Sequence, residues 1–291
     1  MENEPVLFIR NEGKPFATGK LLFMPSAKPT IMAPDLVMKY EEGKDYVWKP
    51  GSNMIELTAG TRIPFKTSAE MVPPPGSPNT MMGVLFSEGH FFHDLQVQVS
   101  YPHAADWPLK DVPPAQRLTR SLAKLNAKQP LKLVALGDSI TNGSNASGFV
   151  GAPPHQPPYP QLVANALQQR FGASVTLKNL ARGGTAAGWG LEMVAKVATE
   201  KPDLVILAFG MNHSEPAAGF EAVMRKLRDA VQAACPEADI VLVAPMTGNP
   251  CGFPPERFTG YREVLRNLTG PNVALADVTS PWLELLKRKP F

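Results

Sequence analysis

The stretch "LKLVALGDSITNGSNASG", Leu131 to Gly148, decides how this chain is read. "LKLVAL" is a nearly continuous apolar run of strand length, and Gly137, Asp138 and Ser139 follow it at once. Runs of that kind are buried on both faces, which calls for a parallel sheet covered by helices. A serine lifted off the end of such a strand stands where a nucleophile belongs. It also stands where serine would simply cap the next helix. The rest of the sequence has to separate the two.

Downstream the chain alternates strand with helix. Pro160 opens "PQLVANALQQRFG", with Val163, Leu167 and Phe171 on one helical face and Gly172 as the stop. The strands "SVTLKNLA", "DLVILAFG", "DIVLVAPM" and "NVALADV" are separated by three helices. These run through Trp189, Met193 and Val197, through "FEAVMRKLRDAVQAA", and through "YREVLRNLTG". The pattern predicts a flavodoxin-like, three-layer α/β/α unit over residues 131–291. In such sheets the working residues lie just beyond the carboxyl ends of the strands. Three ends carry unusual residues: Gly137-Asp138-Ser139, "NLARGGTAAGWG" with Gly183 and Gly184 after Asn179, and "FGMNHSE" with Gly210 and Asn212. A hydroxyl, a glycine-exposed N–H and an Asn amide on one rim make an acyl-transfer site. The hydroxyl attacks an ester carbonyl, and the other two donate to the oxyanion. Each residue also has a plain reading, as helix cap, tight turn or loop amide.

The first 110 residues differ in texture. Short apolar or alternating runs, "GKLLFMPS", "DYVWKPG", "NMIELTAG", "GVLFSEGHFF" and "DLQVQVSY", are cut by Pro and Gly, with no helical period. In the last, Leu95, Val97 and Val99 alternate with Gln96, Gln98 and Ser100, the period of a strand with one wet face. This predicts a smaller all-β domain over 1–110, a β-sandwich or jelly roll. Asp111 to Pro130, with Leu118, Leu122 and Leu125 between flanking prolines, reads as a linker helix.

Composition closes other routes. The 291 residues are 44% apolar without a bilayer-length apolar run, so no membrane partner is expected. "MENEPVLFIRNEG" is not a signal peptide, which leaves the compartment open. The net charge of +3 comes from scattered residues, against nucleic acid as a partner. Cys235 and Cys251 read as reduced thiols, and "HFFH" (His90, His93) lacks the partners a metal site needs. No glycine loop fits a dinucleotide or phosphate cradle, and Thr141 stands where a G-x-S-x-G elbow needs glycine. No cofactor or metal is expected; the oligomeric state is not legible.

"GDSIT", the Asn-to-Gly stretch and "GMN" resemble, in order, the first three blocks of the SGNH (GDSL-type) hydrolases, over Leu131 to Phe291. These are esterases, lipases and sugar-ester deacetylases on a three-layer α/β/α fold. The resemblance implies Ser139 as nucleophile and an oxyanion hole of Ser139 N–H, Gly184 N–H (Gly183 as fallback) and Asn212 Nδ2. The all-β part resembles the β-sandwich that some carbohydrate-esterase members carry. Together they imply cleavage of short acyl esters, acetyl above all, from a small substrate such as an acetylated sugar.

The family's D-x-x-H block, which supplies the catalytic base, has no counterpart after "NVALADV". The expectation is a domain lacking its catalytic loop and last helix. His213, beside Asn212, and His155, in "GAPPHQPPYP", are the candidate substitute bases. Asp277, at the fifth strand end, orients a histidine or holds the next turn. The alternative is a non-catalytic, carbohydrate-binding protein with Tyr46, Trp48, Phe91 and Phe92 as stacking residues.

Overall fold

The computed structural model describes residues 1–109, 117–250 and 252–289. Two compact units divide them: Met1–Leu109 with Asn145–Gln156 and the chain from Leu285 onward, and the remainder.

The first unit is built on β1 (Glu4–Arg10), a run whose burial alternates, with Glu4, Val6 and Phe8 inside. Its first half pairs antiparallel with β9, so that Val6 faces Val97, while its second half pairs parallel with β6. In chain order the elements are β1, β2 (Thr18–Lys20), β3 (Thr30–Met32), β4 (Tyr46–Trp48), β5 (Met54–Leu57) and β6 (Phe65–Thr67). They continue with α1 (Ser68–Met71), β7 (Thr80–Met81), β8 (Val84–Leu85), α2 (Phe91–Leu95) and β9 (Gln96–Ser100). The main sheet runs β3-β9-β1-β2-β5-β4, with β6 on β1. It curls as a β-sandwich does around Val6, Phe8, Leu21, Ile31, Ile55, Val97 and Val99, all essentially without solvent.

Three details depart from the sequence reading. "GVLFSEGHFF" yields only the short β8, and Phe91–Leu95 is helical. Leu95 therefore ends a helix instead of opening a strand. Gln98 is only 6% exposed, so the alternation in β9 does not mark a wet face.

The second unit holds α3 (Thr119–Asn126), β10 (Leu131–Gly137), α4 (Ser139–Asn142), α5 (Tyr159–Phe171), β11 (Val175–Asn179), α6 (Ala187–Glu192) and α7 (Val194–Thr199). There follow β12 (Leu204–Ala208), α8 (Ala217–Ala234), β13 (Asp239–Ala244), α9 (Pro255–Asn267), β14 (Val273–Asp277) and the part of α10 (Thr279–Arg288) up to Glu284. The sheet order is β11-β10-β12-β13-β14, every pair parallel, the expected flavodoxin-like arrangement. Alternation along β10 explains why both faces must be covered. Val134 and Leu136 pack in the cluster of Phe220, Met224 and Leu227 from α8; Leu133 and Ala135 pack with Leu125 of α3 and Ala164 of α5.

The helix expected through Trp189 to Val197 is two helices meeting at Met193. In α5 the inward face is Pro160 and Ala164 with Leu167 and Phe171, while Val163 is 36% exposed. Of the linker helix, Thr119–Asn126 is helical; Asp111, Pro113 and Pro114 lie outside the described residues. Cys235 is a buried free thiol, and Cys251 lies outside the described residues.

The fully buried Asp45 carboxylate anchors the first unit. It accepts the Glu41 N–H (2.8 Å), the Arg62 N–H (3.1 Å) and the Arg62 guanidinium at Nε (2.9 Å) and Nη2. The Arg62 guanidinium, foremost, holds its carboxyl well below the ordinary value of 3.8. A depressed carboxyl contributes stability above the unfolded value, lost as pH falls toward the folded one. Asp45→Ala should therefore cost about 1–2 kcal/mol at neutral pH by removing the acceptor that the Glu41 and Arg62 donors share. In urea unfolding monitored on the first unit, the gap to the parent should shrink steadily below pH 3.8.

Candidate active site

Strand order alone sets the first constraint. β10 lies between β11 and β12, and neighbouring strands are about 4.8 Å apart. The corner carrying Ser139 is therefore flanked by the one carrying Gly183 and Gly184 and by the one carrying Asn212.

At the first corner the helix cap is Asp138, not Ser139. Asp138 has extended backbone, and its Oδ1 accepts the Ile140 N–H at 3.0 Å. The backbone N–H groups of Met211 and Thr141 also lie close enough to favour its charged form. Burial, the largest influence, raises its pKa despite those donors. Ser139 takes the first helical position, partly exposed, and its Oγ has no hydrogen-bond partner among the described residues. Gly137 permits the close approach: a Cβ there would lie 2.5 Å from the Ala208 carbonyl oxygen of β12.

The second corner folds over the first. Asn179 Nδ2 donates to Thr141 O (2.8 Å) while its Oδ1 accepts the Ala181 N–H (3.0 Å). The Arg182 N–H donates to Gly137 O at 3.1 Å. A Cβ on Gly183 would sit 3.7 Å from Ser139 Cβ, so this backbone lies against the serine. Gly184 has φ +73°, a conformation that favours glycine, and its exposed N–H has no partner among the described residues. At the third corner Asn212, also exposed, donates from Nδ2 to Thr185 O at 3.0 Å. An amide nitrogen carries two hydrogens, so one stays available.

His213 is the one histidine of the second unit, and it is committed. It is 3% exposed; Nε2 accepts the Ala187 N–H at 2.9 Å, and Nδ1 lies 2.9 Å from Glu215 Oε2. With Nε2 accepting, the ring proton sits on Nδ1 and points at Glu215. No lone pair is left for a serine, which overturns His213 as substitute base. His155 belongs to the first unit and is an exposed loop residue, φ +58°, its N–H bonded to Ala152 O. Asp277 holds the next turn: Oδ1 accepts the Ser280 N–H (3.0 Å) and Oδ2 its hydroxyl (2.7 Å).

Tyr46 and Trp48 are core residues, 1% and 9% exposed, hydrogen-bonded to Pro29 O and Ser52 O, and so cannot stack on a sugar. Phe91 and Phe92 are partly buried and pack edge to face on each other at 5.1 Å. No cluster of His, Cys, Asp and Glu suited to a metal occurs among the described residues. Sequence reasoning missed Asn179 and Thr185 as site builders. An Asn closing the second strand was the available signal for Asn179; Thr185 contributes only its carbonyl, which no sequence pattern announces.

Beside the serine, Ile140, Thr141, Tyr159, Ala208, Val243 and Val278 line a cavity of about 260 Å³ whose wall is almost entirely carbon. Its polar atoms satisfy one another: Thr141 Oγ1 and the Tyr159 hydroxyl are 3.0 Å apart. Burial pushes the Tyr159 pKa up to about 12.

These observations separate cap from nucleophile. Ser139→Ala should leave the urea midpoint unchanged within about 0.5 kcal/mol. Asp138→Ala, which removes the cap from the Ile140 N–H, should cost about 1–2 kcal/mol. Equal losses in the two variants would return Ser139 to the capping role.

No curated protein matches the sequence. Among solved structures, a two-domain esterase active on acetylated mannans is similar at 20% identity, with a TM-score of 0.47. The match takes in 60% of this chain and 44% of that one, so the chain spans less than half of that esterase. The family 3 carbohydrate esterase of Clostridium thermocellum is 16% identical (52% of this chain, 79% of that one, TM-score 0.40). An acetyl xylan esterase from Geobacillus stearothermophilus is 20% identical (54% and 80%, TM-score 0.40). The family model of the GDSL-like lipase/acylhydrolases matches residues 135–290, which is more than half of the chain and includes all three corners. The chain belongs to the GDSL-like lipase/acylhydrolase family.

Proposed function

We propose that the second unit is the catalytic part of an ester hydrolase working through an acyl-serine intermediate. The observation that carries the reading is the unpartnered Ser139 hydroxyl, with Asp138 capping the helix in its place and Gly183 backbone against it. Ser139 Oγ attacks the ester carbonyl carbon as its proton passes to a base. The carbonyl oxygen, now negative, accepts hydrogen bonds from the N–H groups of Ser139 and Gly184 and from Asn212 Nδ2. Collapse of the tetrahedral species expels the alcohol, which takes up the proton, and water then releases the acid and frees the serine. No step calls on a metal or cofactor.

The weak link is the base. The second unit's single imidazole is committed, so full turnover needs a proton acceptor from outside that unit.

For the alcohol, a carbohydrate remains the proposal, on the strength of the β-rich first unit. For the acyl group the cavity favours a longer chain than the acetyl expected from the sequence. An apolar cavity of about 150 Å³ admits the six carbons of benzene. At about 260 Å³ this one is large enough for roughly ten.

Release of 4-nitrophenol from its acyl esters tests the reading. Hydrolysis should exceed the buffer rate and vanish in Ser139→Ala. Asn212→Ala should slow it by about 100- to 1000-fold. The eight-carbon ester should surpass the acetyl ester by at least about 10-fold in kcat/KM, since each buried methylene contributes about 0.8 kcal/mol. An unaltered rate in Ser139→Ala would sink the proposal; a preference for acetyl would remove only the chain-length part.

A further inference from the structure

We infer that His213 is a positioning residue for the oxyanion hole, acting as an acceptor that ties the third strand-end corner to the second. The inference rests on the proposed role of Asn212.

Asn212 and His213 are neighbours in the chain, and each makes one bond to the same short segment of the second corner. Asn212 Nδ2 donates to Thr185 O (3.0 Å), and His213 Nε2 accepts the Ala187 N–H (2.9 Å). The two bonds run in opposite senses and engage residues two apart, so together they fix both separation and register of the corners. The Asn212 bond alone would leave a hinge about one axis. The segment so clamped begins with Gly184, whose N–H is the second oxyanion donor. The spacing of two of the three donors therefore depends on the imidazole.

The ring is built in to do this. Phe220 of α8 meets it edge to face at 4.9 Å, and Tyr261 of α9 at 6.3 Å. Glu215 Oε2 takes the Nδ1 proton and so fixes the tautomer in which Nε2 accepts. Glu215 is itself held: the Tyr261 hydroxyl donates to its carbonyl at 2.5 Å. Arg257 Nη1 donates to the His213 carbonyl at 3.3 Å. An aliphatic residue here would fill the space and leave the Ala187 N–H buried without a partner.

Kinetics of the whole chain on a 4-nitrophenyl ester, with ¹⁵N NMR of the resting protein, tests the inference. His213→Ala should lower kcat by about 100-fold with KM nearly unchanged, as expected when a reacting geometry slips by about 1 Å. His213→Gln, whose Oε1 can replace Nε2 as acceptor, should recover most of the loss. Val231→Ala, a cavity in α8 distant from the corner, should lower stability without lowering kcat. The NMR spectrum should show Nδ1 protonated and Nε2 bare. Retained kcat in His213→Ala, no recovery in His213→Gln, or a proton on Nε2 in the neutral ring would each overturn the inference. If His213→Ala does not fold, the Gln variant and the spectrum decide. If Asn212→Ala is silent in the same assay, the oxyanion reading fails instead, and the tautomer still decides whether the tie exists.

Discussion

The Asp138 carboxylate is the interaction on which the site depends. The buried Asp138 carboxyl accepts the Ile140 N–H of its own corner and has the Met211 N–H of the third corner close by. The other two sides of the triangle are closed by different means. Asn179 and the Arg182 N–H bind the second corner to the first, and Asn212 with His213 binds it to the third. Each bond is worth only about 1 kcal/mol. Their value lies in closure, because three loops tied pairwise hold donors in place before any charge develops. Such preorganisation is the main source of oxyanion stabilisation.

A closed frame of this kind needs a rigid base, and the parallel sheet supplies it. β10 is apolar on both faces because helices cover both, and it lies in the interior of the strand order. The Ser139 corner thus sits over an interior, nearly fully buried strand, with the Gly184 and Asn212 corners on either side. Gly137 is the point where packing and chemistry meet. Any side chain there would push β12 away and open the frame. The frame also absorbs the only imidazole of the unit. His213 and Asp138 are both titratable groups adjacent to site residues, and both face backbone N–H groups in place of substrate. In the second unit the imidazole and the Asp138 carboxyl both hold backbone N–H groups.

The α/β half was legible because its signals are local and strong. Apolar runs such as "LKLVAL" and "DLVILAF" need no partner to be recognised, and small polar residues mark where each strand stops. The β-rich half was legible only as a class. Its strands are two to five residues long apart from β1, too short for a period to declare itself, so Phe91–Leu95 passed for part of a strand. Met193 could not be seen as a break, since the one poor helix former in "WGLEMVAKV", Gly190, lies three residues before it. The bend lies in its backbone, at φ −88° and ψ −7°.

Sequence alone determined the order of the layers, the three corners and the identities of Ser139, Gly184 and Asn212 as candidates, because strand periodicity and residue chemistry are carried by neighbours in the chain. It could not choose between cap and nucleophile for Ser139, or between base and buried tie for His213. Those choices turn on which atom occupies the second hydrogen-bonding position. For Ser139 the answer is Asp138, one residue away but turned inward; for His213 it is the Ala187 N–H, 26 residues away. A lone pair is free or spent according to what folding brings against it, and only the tertiary structure decides that.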